Sequence, residues 1–229
     1  MKTSLEIIVM DAADARQAAS GGATNLEVVR DLPLGGLTPD FDTLRAVRAA
    51  VDLPLNVMVR PHARDFVYSP AEADQILADA GAVTRLGADG VVFGALTSIG
   101  DVDVPLLYRV IETCRAINPS IQFTFHRAIE EAADTDSALT TLTGLVDRVL
   151  ASGLRPGQGE NRDLLGDWVM RYGAGIQFAC GGGVTLENAR HIFEATGVPE
   201  IHVGGAARTK GAVERVKVAA IVAALSEQR

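Results

Sequence analysis

The segment Ile121-Gln122-Phe123-Thr124-Phe125-His126-Arg127 decides how the rest of this sequence is interpreted. Its apolar and polar residues alternate strictly as far as His126, which is the period of a β-strand with two different faces. Strands that are buried on both faces in α/β proteins normally read as continuous apolar runs. Polar residues on one face therefore indicate a polar interior, with His126 and Arg127 where the strand ends and a loop begins.

β-Branched apolar segments alternate with alanine-rich helical patterns along the whole chain. The pattern predicts strands over Ser4–Met10, Asn25–Val29, Leu55–Arg60, Asp89–Phe93, Ile121–Phe125, Val146–Ala151, Gly175–Cys180 and Glu200–Gly204. Helices are predicted between them, near residues 11–20, 40–50, 70–86, 103–116, 134–144, 161–173, 185–196 and 211–227. Eight βα units in 229 residues predict an α/β protein with one domain over residues 1–229, a parallel eight-stranded (β/α)8 TIM barrel.

The charge balance limits the classes of partner. The chain has 21 Lys and Arg against 29 Asp and Glu, a formal net charge of -8. Such an acidic protein lacks the basic surface that neutralises phosphates, so we expect no binding to nucleic acid or to an anionic membrane. No segment approaches the roughly 20 apolar residues of a membrane span. The two cysteines, Cys114 and Cys180, fall in a helix pattern and a strand pattern and are expected to be buried thiols. Together these features predict a cytoplasmic protein.

Several strands place ionisable residues on the face that points into the barrel. Such groups must neutralise one another or serve a ligand, because burying an unpaired charge is costly. In TIM barrels the carboxyl ends of the strands carry the active site, whereas deeper groups concern stability. By position along the strands, the site candidates are Glu27, Arg60, His126, Arg127, Ser152 and His202. A structural polar network beneath the site is predicted from Glu6, Asn56, Gln122, Arg148, Gln177 and Glu200.

Glycine runs follow the seventh and eighth predicted strands, at Gly181–Gly183 and at Gly204-Gly205. Glycine exposes backbone N–H groups, and these two loops are where this fold often binds phosphate. Tight turns also require glycine, so the runs alone do not decide between the two roles. If the runs bind an anionic group through their N–H groups, the residues that contact the substrate are Gly182, Gly183, Gly204 and Gly205.

Two further loops are predicted to border the same mouth. The loop from Arg60 to Tyr68 is rich in charged and aromatic residues, and Asp65 within it is a candidate substrate contact. It is either a solvated connection or a segment that closes over the substrate. The loop over residues 30–39 forms the opposite wall, with Gly35-Gly36 permitting a tight turn.

Motifs spread over nearly the whole chain resemble the CutC copper homeostasis family. In order they are Leu5-Glu6-Ile7, Leu26-Glu27, Gly35-Gly36-Leu37-Thr38-Pro39, Arg60-Pro61 with Asp65-Phe66 and Tyr68, Thr124-Phe125-His126-Arg127-Ala128, Ala151-Ser152-Gly153, Gly181-Gly182-Gly183-Val184 and Glu200-Ile201-His202. The resemblance implies a cytoplasmic (β/α)8 barrel that self-associates as a homo-oligomer and is linked to copper tolerance.

The resemblance also bears on copper binding. Family members proposed to bind Cu(I) carry cysteines near the ends of strands one and two, where this chain has Ile8, Val9 and Val29. Cu(I) favours soft sulfur ligands, so these apolar residues argue against copper binding. Met10 and Met58 are the alternative thioether ligands, although single methionines in strands are more often core residues.

The residues support hypotheses from two classes. The first is an enzyme, a lyase, isomerase or hydrolase, acting on a small anionic molecule that is phosphorylated or sugar-like. Glu27 and His126 would transfer protons while Arg60 and Arg127 hold the anion. Alternatively, Glu27, His126 and His202 could hold a divalent metal such as Zn²⁺ or Mn²⁺. The second class is a Cu(I)-binding homeostasis protein without catalysis. The sequence identifies neither the reaction nor a cofactor.

Overall fold

The computed structural model of this protein describes residues 3–154 and 162–226. Its barrel strands are β1 (Ser4–Val9), β2 (Asn25–Val28), β3 (Leu55–Met58), β4 (Gly90–Phe93), β5 (Gln122–Phe125), β6 (Arg148–Ala151), β7 (Gln177–Cys180) and β8 (Glu200–Val203). In the described part of the chain these eight strands form a closed barrel in sequence order, and β8 pairs in parallel with β1. The predicted fold class is confirmed, and the predicted strands differ only at their ends.

A helix follows each strand and packs on the outside of the barrel. The helices are α1 (Ala12–Gly21), α2 (Phe41–Ala50), α3 (Pro70–Arg85), α4 (Val104–Arg115), α5 (Thr135–Leu142), α6 (Asp163–Tyr172), α7 (Ala189–Thr196) and α8 (Arg215–Ser226). Short 3₁₀ turns occupy Leu32–Leu34, Arg127–Glu131 and Gly205–Ala207. Among the described residues, no helix has the length and apolar character needed to cross a membrane.

Local signals explain where the helices begin and end. At α3, Ser69 Oγ accepts from the Glu72 N–H while Glu72 Oε2 accepts from the Ser69 N–H at 2.8 Å, which is a capping box. At α1, Asp11 caps the first turn, and Gly22 ends the helix with φ 98°. A left-handed residue of this kind suits glycine and turns the chain towards β2.

The alternation of residues along each strand separates two interiors. Leu5, Ile7 and Val9 of β1 are at most 2% exposed and belong to the large core between the barrel and the helices. The opposite face of β1 places Glu6 and Ile8 inside the barrel. Ile8 belongs to a second, smaller apolar cluster with Val29, Met58 and Val92.

A buried polar network fills the lower part of the barrel, as predicted for Glu6, Asn56, Arg148 and Glu200. Arg148 donates to both carboxylates, through Nη2 to Glu6 at 2.9 Å and through Nη1 to Glu200. Asn56 Nδ2 donates to Glu6 Oε1 at 2.6 Å. A side chain at Gly90 would overlap Asn56 Oδ1, so glycine there leaves room for the network.

The prediction was wrong for Gln122 and Gln177. Both side chains are exposed, at the first residues of β5 and β7, where they border a second cavity at the amino-terminal end of the barrel. The Gln122 side chain donates to the Ser120 carbonyl at 3.4 Å and, among the described residues, makes no hydrogen bond to the network. The alternation of side chains along each strand places them on the inner face. Neighbouring strands of a barrel are offset along the axis, however, and this offset leaves these first residues at the open rim.

The segment after β8 differs from its prediction. A helix was expected from residue 211, but residues 208–213 form a short hairpin of β9 (Arg208–Thr209) and β10 (Ala212–Val213), and α8 begins at Arg215. Arg208 holds this hairpin to α1 through Asp14 at 2.7 Å and to β1 through the Ile8 carbonyl at 2.7 Å. The seventh helix likewise begins at Ala189 rather than near residue 185, and the predicted start of the sixth, at residue 161, lies outside the described residues.

Candidate functional site

A cavity of about 250 Å³ opens at the carboxyl ends of the barrel strands. This volume suits a small metabolite, since drug-sized ligands occupy roughly 300–1,000 Å³. Its ionisable lining side chains are Glu27, Arg60, His126, Arg127 and His202, and its lining glycines are Gly35, Gly182, Gly183, Gly204 and Gly205. The structure therefore brings together nearly all of the site residues predicted from the sequence.

Glu27 is the acidic group of the cavity. It is 2% exposed, and its Oε1 has no hydrogen-bond partner among the described residues. Burial raises the pKa of Glu27 to about 7, an effect that His202 reduces and Glu6 increases. A carboxyl group with this pKa can both release and accept a proton near neutral pH.

His202 connects Glu27 to the network below the cavity. Its Nδ1 lies 2.6 Å from Glu6 Oε2, and its Nε2 lies 3.6 Å from Glu27 Oε2. Burial opposes a charge on the His202 ring, but Glu27 and then Glu6 raise its pKa. Burial likewise opposes ionisation of Glu6, yet Arg148 and His202 hold the pKa of Glu6 well below its usual value. Ionised Glu6 thus accepts a hydrogen bond from the His202 Nδ1–H, and this bond directs Nε2 towards Glu27.

Arg60 is the buried cation of the cavity. It follows β3, is 8% exposed, and its guanidinium stacks 4.6 Å over the Phe66 ring. No carboxylate among the described residues lies within ion-pair distance of it, and its Nε has no hydrogen-bond partner there. A buried guanidinium without a counter-ion is costly, and an anion in the cavity would offset that cost.

His126 faces the cavity as a neutral ring. Its Nδ1 accepts from the Ala128 N–H at 3.2 Å, so the proton of the neutral ring is on Nε2. Burial, with the charge of Arg60 next, lowers the pKa of His126 to about 3. Its Nε2 has no partner among the described residues and is available to donate to a ligand. The ring packs 4.8 Å from Phe66, and a side chain at Gly94 would approach its Nδ1 to 2.6 Å.

Arg127 borders the cavity from the 3₁₀ turn after β5 and is half exposed. Its Nε and Nη2 donate to Glu130 Oε2 at 3.0 and 2.7 Å. The other oxygen of Glu130 accepts from the Ser152 N–H at 2.5 Å. Glu130 was not predicted from the sequence, although its spacing of three residues from Arg127 on a helical turn was a usable signal.

The glycine loops contribute backbone to the cavity wall. Gly182 and Gly183 adopt φ +80° and +68°, which only glycine does readily. Arg162 donates to the Gly182 carbonyl at 2.7 Å and also to the Ser152 carbonyl, so it holds the loop after β7 against the end of β6. Arg162 lies outside every predicted strand and could not be found from strand parity.

Two predicted substrate contacts lie elsewhere. Asp65 is exposed, accepts from the Val67 N–H at 3.2 Å and does not line the cavity. Ser152 is buried beneath the wall, where its hydroxyl accepts from the Leu154 N–H at 3.2 Å. The loop after β3 reaches the cavity through Phe66 instead, an aromatic residue that the sequence interpretation did not single out.

The residues present do not fit a metal centre. Among the described residues, no three His, Cys, Asp or Glu side chains come together as a metal-binding group, so Glu27, His126 and His202 do not form the suggested divalent site. For Cu(I), Cys180 is fully buried with a pKa raised to about 11 by burial. Met58 is the sulfur side chain that lines the described cavity, and a single thioether is a weak Cu(I) site.

Comparisons with known proteins agree with one another. The model of the CutC family matches residues 3–207. A family protein CutC from Aliivibrio fischeri is 34% identical over 206 residues, which are 90% of this chain and 83% of that protein. The mouse protein named copper homeostasis protein cutC homolog is 36% identical over 199 residues, covering 86% of this chain and 72% of the relative. The crystal structure of a CutC protein from Streptococcus agalactiae superimposes with a TM-score of 0.79 at 26% identity, covering 88% of this chain and 98% of the other.

Proposed function

This chain belongs to the CutC family, and we propose that it is an enzyme that binds a small anionic substrate at the carboxyl end of its barrel and transfers a proton within it. The observation that carries the proposal is Arg60, a buried guanidinium that faces the cavity without a carboxylate partner among the described residues. Guanidinium forks bind carboxylate and phosphate groups in two-point contacts, so the substrate would supply the missing counter-ion.

The neighbouring groups support proton transfer. Glu27 is the candidate catalytic residue, because its pKa of about 7 lets it take a proton from the substrate and return one at physiological pH. His202 and Glu6 behind it would position the carboxyl group and balance its charge. Proton abstraction beside a carbonyl, as in an isomerase or a lyase, uses this kind of group.

His126 has a different role in the proposal from the one expected of a general base. With a pKa of about 3 the ring stays neutral, and its Nε2–H can donate to a substrate oxygen. A donor aimed at an oxygen that gains negative charge stabilises the transition state without exchanging a proton. In this arrangement Glu27 moves the proton and His126 polarises the oxygen.

Calorimetric titration with inorganic phosphate and small carboxylates tests the proposal. We expect Arg60→Ala to weaken anion binding by roughly 1.5–3 kcal/mol, the range for a hydrogen bond to a charged group. Arg64→Ala is the matched control, because Arg64 lies on the same loop, is exposed and pairs with Glu72 outside the cavity. Thermal unfolding of both variants would show that they are folded. Equal anion binding by the wild type and a folded Arg60→Ala variant would remove the basis of the proposal.

A second candidate function comes from the name of the mouse relative, which links that protein to copper homeostasis. On this alternative the chain would bind Cu(I) without catalysis. Its cavity offers carboxylate, imidazole and guanidinium groups in place of accessible thiolates, and so favours the enzyme. Metal analysis of freshly purified protein, with competition against a chromophoric Cu(I) chelator, separates the two: tight copper binding without any anion binding would favour the alternative.

We also propose that the protein works in the cytoplasm as a homo-oligomer. The two cysteines, Cys114 and Cys180, are free and buried, as is usual in a reducing compartment. Leu186 and Val216 are exposed by 40% and 63% and border one surface groove, which a second copy could cover. Sedimentation equilibrium of the wild type and of Val216→Glu would test the association.

A further inference from the structure

The cavity has an apolar wall that proton transfer and anion binding do not require. Its apolar lining side chains are Ile8, Leu32, Met58, Phe66, Leu150 and Val184. Ile8 and Met58 belong to the small cluster inside the barrel, and Leu32 packs against that cluster from the turn after β2. This cluster is separate from the main core, and Ile8, Met58 and the adjoining Leu32 form its boundary with the cavity.

Close contacts hold this wall in place. A side chain on Gly204 would meet Ile8 Cδ1 at 3.0 Å and Leu32 Cδ1 at 3.5 Å, so the loop after β8 packs directly on both residues. At Gly36, a side chain would meet Val29 Cγ1 at 3.3 Å and Met58 Cε at 3.5 Å. Glycine at these two positions lets the loops after β2 and β8 close on the apolar cluster.

The hydrogen-bonding side chains of the lining are the ionisable ones, and none of them belongs to the wall of Ile8, Leu32 and Met58. Among the described residues that line the cavity, there is no Ser, Thr, Asn, Gln or Tyr side chain. A substrate rich in hydroxyl groups would place several of them against Ile8, Leu32 and Met58, where their hydrogen bonds to water would be lost without replacement. Unmade hydrogen bonds of buried polar groups weaken binding.

We infer that the substrate is an amphipathic anion, with one phosphate or carboxylate group at Arg60 and an aliphatic or aromatic body against the wall of Ile8, Leu32 and Met58, and that it is not a sugar phosphate. The inference rests on the proposed anion site and adds the class of its ligand. Apolar contact is the physical source of the selectivity, since the body of the ligand displaces water from side chains that cannot hydrogen-bond to it.

Three phosphate esters with the same anionic group provide the test. Methyl phosphate, propyl phosphate and glycerol 3-phosphate are titrated into the protein, and propyl phosphate and glycerol 3-phosphate differ only in two hydroxyl groups. Each buried methylene tightens binding by about fourfold, so propyl phosphate should bind about fifteen times more tightly than methyl phosphate. Glycerol 3-phosphate should bind no more tightly than methyl phosphate. Propanoate and glycerate repeat the comparison with a carboxylate, so that the choice of anion does not decide the result.

Leu32→Asn and Leu34→Asn are matched variants of one 3₁₀ turn. Leu32 lines the cavity, whereas Leu34 is 54% exposed and does not. We expect Leu32→Asn to reduce the preference for propyl phosphate over glycerol 3-phosphate by at least fourfold, and Leu34→Asn to leave it unchanged.

The outcomes separate this inference from the proposed function. If glycerol 3-phosphate binds as tightly as propyl phosphate, or if both variants keep the wild-type preference, the apolar-body inference is wrong while the anion site stands. If none of the phosphates or carboxylates binds to the wild type, the proposed function and the inference are both wrong.

Discussion

At the scale of single residues, the protonation of Glu27 is the property on which the proposed chemistry depends. Its carboxyl group is buried at the floor of the cavity, with His202 beside it and Glu6 behind His202. Arg148 and Glu200 also act on its charge from the network below. The pKa of Glu27, raised by burial from 4.5 to about 7, makes the stability of the protein depend on pH.

The sign of this dependence follows from the direction of the shift. Below pH 4.5 the carboxyl group is protonated in both the folded and the unfolded protein, so it contributes no pH dependence. Between about pH 4.5 and 7 the unfolded chain releases the proton and the folded protein keeps it, so the free energy of unfolding falls as the pH rises. The full effect is up to about 3 kcal/mol, because one pKa unit corresponds to about 1.4 kcal/mol.

We predict that Glu27→Gln removes this fall in the free energy of unfolding with rising pH, since the amide does not ionise. The free energy of unfolding of the variant minus that of the wild type should be larger at pH 8 than at pH 5, by up to about 3 kcal/mol. Urea unfolding at the two pH values measures the difference. Glu131→Gln is the control for replacing a carboxyl group by an amide at an exposed position outside the cavity. A difference for Glu27→Gln that is the same at both pH values would mean that Glu27 has an ordinary pKa.

At the scale of the elements, the order of strands and helices follows from local signals, and the helix caps are the clearest of them. Helix α3 has a complete capping box at Ser69 and Glu72, whereas Asp40 before α2 makes no capping hydrogen bond with its side chain. The two helices therefore allow a comparison, in the same protein, between an N-cap residue whose side chain makes the capping hydrogen bond and one whose side chain does not.

Ser69→Ala should lower the free energy of unfolding by about 0.5–2 kcal/mol, because the first turn of α3 loses an acceptor for a backbone N–H. Asp40→Ala should change it by much less. Chemical denaturation of both variants gives the comparison. If the two substitutions cost the same, the side-chain bond at Ser69 is not what stabilises the start of α3.

At the scale of the whole molecule, the network inside the barrel joins strands that are distant in the sequence. Glu6 of β1 accepts from Asn56 of β3, from Arg148 of β6 and from His202 of β8. These buried groups are paired and hydrogen-bonded, so removing one member leaves the others without their partner.

Glu6→Gln should therefore destabilise the protein by about 3–5 kcal/mol, because Arg148 and His202 lose a buried counter-charge. Gln177→Ala, at the exposed lower rim, should change the stability by less than about 0.5 kcal/mol. Thermal or urea unfolding near neutral pH measures both. A Glu6→Gln variant as stable as the wild type would show that the network does not hold the barrel together.

The sequence alone determined the fold, because the barrel is specified by the hydrophobic period of each segment and by the alternating order of strands and helices along the chain. Alternation with a period of two placed Glu6, Glu27, Asn56 and Arg148 inside the barrel, and that information is local to each strand. The position of His126 and Arg60 at strand ends likewise predicted their place at the mouth, where the structure finds them, while their roles in binding and catalysis stay predictions. The family resemblance is confirmed by the match over residues 3–207.

Only the tertiary structure decided which groups meet and how far they are buried. Gln122 and Gln177 have inward parity but reach solvent, since exposure depends on the stagger between strands and not on the residue alone. Arg162 and Leu32 lie in turns or beside the barrel, where strand alternation does not apply, and their contacts come from the way loops close over the mouth. The pKa of Glu27 is also a property of the assembled barrel, as is the absence, among the described residues, of a carboxylate beside Arg60. Desolvation and the distances between charges arise only when the strands have been brought together.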